Sequence, residues 1–261
     1  MNISLKGKKA LVGGSSDGIG KAIAIQLAKS GASVTLVSRS EDKLKTIIGE
    51  LPVYEGQKHQ YIVVDYNNFE VYKTKIIAYF KDNTIDILVN NTQGPSAGNA
   101  LEKQTEDYQQ AFDLLFKTTV LTTELALKNM MQNKWGRIIN VASVSVKEPL
   151  SYLVLSNSIR AAVVTWAKSL AGDVGEYQIT VNSILTGYFD TNRIAQLNAT
   201  KAKQLNVSET KVRQEMEQKV ALKRIGEPEE YGFLVAFLAS DKAAYITGTA
   251  IPIDGGLLKT I

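Results

Sequence analysis

The 261-residue sequence has no cysteine and a single histidine, His59. Those absences exclude a disulfide framework, a thiolate metal site, a cysteine nucleophile and a multi-histidine metal centre, so no metal is expected. A chain without cysteine also fits a reducing compartment, and a cytoplasmic protein is expected. No apolar run approaches the roughly 20 residues that a membrane span needs, so no membrane partner is expected. The first twenty residues lack a signal-peptide layout, because their apolar stretch at 10–12 is short and leads into glycines. Neither sign of charge dominates: 30 basic residues stand against 26 acidic ones, giving +4. The basic residues are spread along the chain and leave no nucleic-acid footprint. The remaining composition, 44% hydrophobic and 21% charged, suits a globular chain able to bury a sizeable core.

Short apolar runs alternate with longer patterns of helical period. Strands are expected over 10–13, 34–38, 61–65, 85–90, 137–143, 179–185 and 249–254, and helices over 18–30, 41–51, 69–81, 105–133, 151–172 and 227–240. Strict alternation of this kind implies a parallel sheet buried on both faces. The expected fold is α/β: one doubly wound (Rossmann) parallel sheet of about seven strands with helices on both faces, in a single domain over 1–261. No repeat or linker interrupts it. Residues 188–224 break the rhythm, being polar and rich in Lys, Gln, Asn and Thr, with a helical stretch at 212–220. Leaving the end of a sheet strand, that segment is read as a substrate lid.

Gly14-x-x-x-Gly18-x-Gly20 follows the first strand and opens the first helix. Such a turn offers backbone N–H groups and a helix N-terminus to an anion, and glycine lets the backbone approach a pyrophosphate. The second strand ends in Ser38-Arg39-Ser40, with no acid to take a ribose 2′-hydroxyl. Arg39 suits a 2′-phosphate instead, and Ser15 and Ser16 add hydroxyls nearby, so NADP(H) is expected in preference to NAD(H). Asp65, at the end of the third strand, either accepts from the adenine amino group or caps the next turn.

Several stretches in the right order resemble the short-chain dehydrogenase/reductases, closest to their 3-oxoacyl-carrier-protein reductase-like branch. They are Gly13-Gly14-Ser15-Ser16-Asp17-Gly18-Ile19-Gly20, Asn90-Asn91, 136–143 (GRIINVAS), 179–184 (ITVNSI), Gly187, 224–230 (RIGEPEE) and 246–256 (ITGTAIPIDGG). The resemblance covers nearly the whole chain. It implies cofactor contacts from Gly14, Gly18, Ile19, Gly20, Arg39, Asp65, Asn91 and Gly187. It also implies a small-molecule carbonyl or alcohol as substrate and a homo-oligomer, a dimer of dimers, paired through the two long helices.

Family members use Ser, Tyr, Lys and often Asn for catalysis, and here the resemblance is uneven. Ser143 matches the Ser, but Ser156 stands at the Tyr position, Arg160 at the Lys position and Leu115 at the Asn position. Thr186 replaces the usual Pro before Gly187. A serine hydroxyl is far less acidic than a phenol, and Arg keeps its proton, so Ser156 and Arg160 cannot reproduce a Tyr–Lys acid. Arg160 retains donors for the nicotinamide ribose, and Ser143 can donate to a substrate oxygen. Two tyrosines are candidates for the missing acid. Tyr152 shares a helix face with Ser156 and Arg160 if the helix begins by residue 152. Tyr188 follows Gly187, near where the family places the carboxamide. A water relayed through Ser143 is a third route. Two functions remain open at this point: an NADP(H)-dependent oxidoreductase with an atypical proton donor, or a non-catalytic NADP(H)-binding member acting as sensor or partner subunit.

Overall fold

The computed structural model describes residues 2–54 and 56–260; Met1, Glu55 and Ile261 of the expected domain lie outside the described residues. Its strands are β1 (Lys9–Gly13), β2 (Ser33–Ser38), β3 (Gln60–Val63), β4 (Ile87–Asn90), β5 (Gly136–Val141), β6 (Ile179–Thr186) and β7 (Ala250–Ile253). All neighbours pair in parallel in one sheet, ordered β3-β2-β1-β4-β5-β6-β7. The strand order reverses between β1 and β4, where Val12 lies level with Leu36 on one side and Val89 on the other. That reversal opens a crevice at the carboxyl ends of the strands, where ligands of doubly wound sheets bind.

The helices are α1 (Gly18–Lys29), α2 (Glu41–Glu50), α3 (Phe69–Asp82), α4 (Thr105–Phe112), α5 (Thr118–Asn133), α6 (Val154–Val174), α7 (Asn192–Leu205), α8 (Glu209–Lys219) and α9 (Pro228–Ala239). Two cores sandwich the sheet. On one face Ile23 and Leu27 of α1, Leu44 of α2 and Tyr231 and Val235 of α9 pack on Val12, Leu36 and Ile184. On the other, Ile76 of α3, Met130 of α5 and Ile159 and Ala167 of α6 pack on Leu11, Leu88 and Val181. The central strands β1, β4, β5 and β6 are buried almost throughout because both of their faces are covered in this way. Among the described residues no helix is long and apolar enough to cross a membrane.

Three elements depart from expectation. The helix expected over 105–133 is broken by a π-helical turn, Asp113–Lys117, between α4 and α5. Within it the Thr118 N–H reaches back five residues to the Asp113 carbonyl, and the Thr118 and Thr119 hydroxyls donate to the Leu114 and Leu115 carbonyls at 2.6 and 2.7 Å. The helix expected from 151 begins at Val154. Gly98 prevents an earlier start: its N–H donates to the Tyr152 carbonyl at 2.8 Å, and its carbonyl accepts from Val154 N–H at 3.2 Å. Tyr152 therefore precedes the helix, and the shared face proposed for Tyr152, Ser156 and Arg160 does not form.

The polar segment 188–224 folds into two helices, α7 and α8, where helix was expected only near 212–220. Thr191 caps α7 by accepting from Ile194 N–H, and Ser208 caps α8 by accepting from Lys211 N–H at 3.2 Å. Asn206 between them adopts the left-handed conformation, φ 52°, that ends a helix. Lys134 ends α5 in the same way, φ 49°, with an exposed side chain. A side chain strained there gains little, so Lys134→Gly is expected to stabilise the fold by up to about 1 kcal/mol, read as a rise in Tm of about 2 °C.

Candidate active site

The glycine-rich turn lies across the crevice. Asp17 caps α1, accepting from Gly18 N–H at 2.7 Å, and leaves the other N–H groups of the first turn facing the opening. Gly14 and Gly18 have φ of 54° and 49°, where a side chain would be strained. A Cβ on Gly20 would come within 2.1 Å of the Gly14 carbonyl oxygen, and one on Gly14 within 2.9 Å of Asn91 Nδ2. Asn91 Nδ2 donates to the Gly13 carbonyl at 3.0 Å, tying the turn to the end of β4. Backbone packed this closely, with a helix N-terminus open beside it, fits a pyrophosphate. Ile19 sits at the rim and packs on the first core.

At the end of β2 the Ser16 hydroxyl accepts from Ser38 Oγ at 2.7 Å, beside the exposed Arg39. Ser15 corrects one expectation. It is fully buried, and its hydroxyl accepts from Val37 N–H at 2.9 Å, so it fixes the turn to β2 and offers no free hydroxyl to a cofactor. The next acid, Glu41, is held by Lys45 at 3.0 Å and by the Tyr61 hydroxyl at 3.3 Å. A dinucleotide bearing a 2′-phosphate fits this end of the crevice better than one bearing a free 2′-hydroxyl. Asp65 Oδ1 accepts from Asn67 N–H at 2.9 Å, which is the turn-capping role left open above.

The catalytic positions gather beyond β5. Ser143 is extended, and its hydroxyl accepts from Ser145 N–H at 3.1 Å. Arg160 reaches back from α6 and donates to the Val141 carbonyl, two residues before Ser143. Burial pulls the Arg160 pKa down, partly offset by the Tyr231 phenol and reinforced by the charge of Arg193, to about 10. The side chain therefore stays cationic at neutral pH. Ser156 is one turn earlier on α6 and partly buried. Gly187 closes the far wall: its N–H donates to the Ile253 carbonyl at 3.1 Å, and a Cβ there would meet Asp254 Cα at 2.6 Å. Tyr188 follows it, held by its carbonyl accepting from Gly226 N–H at 2.9 Å. Burial raises the Tyr188 pKa and the neighbouring Tyr152 phenol raises it further; burial alone raises that of Tyr152, which is 44% exposed. Neither phenol is tuned downward by a cation.

Sequence reasoning missed the residues that tie the start of α7 to the glycine-rich turn. Asn192 Nδ2 donates to Asp17 Oδ2 at 2.7 Å, and a Cβ on Gly18 would come within 3.0 Å of the Thr191 methyl group. Burial pushes the Asp17 pKa up, but Asn192, the Gly18 N–H and Lys43 together hold it below the usual carboxylate value. Arg193 turns the other way, donating through Nη2 to the Pro95 carbonyl at 3.1 Å, on the loop after β4. Thr186, in place of the family's Pro, shares a 3.0 Å hydrogen bond with the buried Tyr231 hydroxyl, which accounts for that substitution. The signal that could have marked α7 was its pair of caps, Thr191 and Asn206.

Residues 14–258 match the family described as enoyl-(acyl carrier protein) reductase. A 3-oxoacyl-(acyl-carrier-protein) reductase of Aquifex aeolicus is 31% identical over 98% of this chain and 100% of its own length. The NADPH-dependent reductase BacG of Bacillus subtilis is 29% identical over 97% of this chain and 99% of its own. Among solved structures, L-sorbose reductase from Gluconobacter frateurii, crystallised with NADPH and L-sorbose, is 31% identical and superposes with a TM-score of 0.92 over 100% of both chains. The glycine-rich turn, the sheet order and Ser143 agree with these likenesses, and the chain belongs to the short-chain dehydrogenase/reductase family, in its 3-oxoacyl-(acyl-carrier-protein) reductase-like branch.

Proposed function

We propose that this protein is an NADPH-dependent reductase of a small-molecule carbonyl, whose proton comes from a phenol at the mouth of the site. The observation that carries the reading is the cradle itself: a backbone packed to pyrophosphate distance and an exposed Arg39 with no acid at the end of β2. The nicotinamide, when bound, supplies the hydride to the carbonyl carbon. The chain's part is to polarise the carbonyl oxygen and protonate it as the C=O π bond gives way to C–H and O–H bonds. Ser143 is the donor to that oxygen, Arg160 holds the cofactor ribose, and Ser156 lines the site. Tyr188, with Tyr152 beside it, delivers the proton. Residues 188–224 close over the substrate as a lid within a single domain.

Incubation with 4-deuterated NADPH and a panel of ketones, aldehydes and keto acids tests the reading. Deuterium on the carbinol carbon of a product supports it. Tight NADPH binding with no transfer to any member would leave a nucleotide-binding partner protein instead. The raised phenols set the pH dependence. A phenol with a raised pKa keeps its proton at neutrality and loses it only above the ordinary tyrosine value of about 10. The reduction rate is therefore expected to hold from pH 7 to about 9 and fall only above 10, measured as kcat against pH. Pairing of copies through the long helical stretches α4–α5 and α6 completes the proposal, supported by part-exposed aromatics: Phe112 of α4 stacks on Phe116 of the π turn, which meets Trp166 of α6 edge-on. Light scattering reports the mass.

A further inference from the structure

Ser143 is the one residue of the family's catalytic set that this chain keeps unchanged, so the aim of its hydroxyl matters all the more. That hydroxyl accepts from Ser145 N–H at 3.1 Å, and an oxygen held as an acceptor keeps its own proton free to donate. The turn that follows runs to Glu148, whose N–H donates to the Val144 carbonyl at 3.1 Å. The part-buried Glu148 carboxylate has no Lys or Arg within 4.0 Å among the described residues. Its Oε1 instead accepts two backbone N–H groups from a distant part of the chain, Lys259 at 2.7 Å and Thr260 at 3.0 Å.

The segment that supplies those donors, 254–260, touches each wall of the site. Asp254 lies against Gly187, where a Cβ would meet the Asp254 Cα at 2.6 Å. The Asp254 carboxylate curls the chain into a turn, accepting from Gly256 N–H and Leu258 N–H at 2.9 Å each. That turn is seated on the residues just past α8: the Gly255 carbonyl accepts from Leu222 N–H at 3.1 Å, and a Cβ on Gly255 would meet Val220 Cγ1 at 2.7 Å. Leu257 and Leu258 then pack on the small cluster of Ala142, Val144 and Leu185, which includes both chain neighbours of Ser143. Glu148 fastens the far end. We propose that Glu148 is a positioning residue: by anchoring segment 254–260 it braces the turn that aims Ser143 and couples that turn to the trailing end of the segment 188–224. Glu148 touches neither substrate nor cofactor in this scheme. It acts on Ser143 through the backbone of its own turn and through the two leucines.

The catalytic consequence rests on the reductase reading, so one readout is independent of turnover. The Ser145 amide reports the Ser143 hydroxyl directly, and the Leu222 amide reports the seat beside α8. Hydrogen exchange of both is followed by NMR in protein loaded with NADP⁺. Glu148→Ala removes the acceptor of two hydrogen bonds, so both amides should exchange at least about tenfold faster, with β1 and β4 unchanged. Glu148→Gln keeps an oxygen that can accept the same two N–H groups and should stay within about twofold of the parent. Lys259→Pro removes one donor at an exposed position and should quicken both amides about fivefold; it decides the matter if Glu148→Ala does not fold. On whichever carbonyl takes deuterium from the cofactor, kcat should fall about tenfold in Glu148→Ala with the KM for NADPH unchanged. Unchanged Ser145 exchange in Glu148→Ala or Lys259→Pro would overturn the proposal. So would a faster Ser145 amide with Leu222 unmoved, or faster exchange at both with kcat kept. A parent protein that reduces nothing sinks the reductase reading alone, because the exchange rates still decide whether the brace exists.

Discussion

Arg39→Glu is expected to raise the KM for NADPH by about 10- to 100-fold while leaving that for NADH unchanged or lower. Charge-assisted hydrogen bonds are worth about 1.5–3 kcal/mol, and each 1.4 kcal/mol is tenfold, which sets the range. The sign follows from the end of β2. Arg39 is exposed there beside Ser16 and Ser38, and the next acid along the chain, Glu41, is already held by Lys45 and Tyr61. A new carboxylate at 39 would repel a 2′-phosphate and accept from a ribose hydroxyl. Because Arg39 has no carboxylate partner among the described residues, the melting temperature of the variant should match the parent. Steady-state kinetics with both cofactors decide the matter, and an unchanged ratio of the two KM values would place the 2′-phosphate elsewhere.

The second large effect is expected at the mouth of the site. A positioned general acid contributes roughly 10²- to 10⁴-fold, so Tyr188→Phe should lower kcat by about 100-fold or more with NADPH affinity intact. Tyr188 is the stronger candidate, being anchored on β6 through Gly187 and Gly226. Tyr152 lies outside α6 and is 44% exposed, so Tyr152→Phe should cost less, about tenfold. If the Tyr152→Phe/Tyr188→Phe double variant keeps the parent kcat, the phenols are not the acid, and a water held by Ser143 takes that role.

Much of this was legible in the residues. The strands announced themselves because each carries a short, mostly apolar run bounded by turn-forming residues, and their alternation with helices pointed to a parallel sheet. The glycine-rich turn was readable because glycine is favoured at the φ of 14 and 18, and only glycine allows the 2.1 Å approach at 20. What escaped depends on contacts far apart in sequence. The start of α6 is set by Gly98, more than fifty residues upstream, and no local pattern at 151–153 records that pairing. The π turn, DLLFK, keeps helical composition throughout, so nothing local distinguishes it from the helices on either side. Helix α7 has few apolar residues, with Ala202 its one buried hydrophobic side chain, so its periodicity is faint. Ser15 looked like a ligand from its place in the turn. Its burial against Val37 depends on how β2 lies beside β1.

Helix α7 is held at its leading end by hydrogen bonds, Asn192 to Asp17 and Arg193 to Pro95, and buries one hydrophobic side chain, Ala202, whereas the sheet lies between two apolar cores. Each such bond contributes about 1 kcal/mol, so α7 can open for a few kcal/mol without disturbing the sheet. Amide hydrogens should record that inequality as two populations. Those of α7 would exchange through small local openings, and those of β1, β4 and β5 would wait for global unfolding.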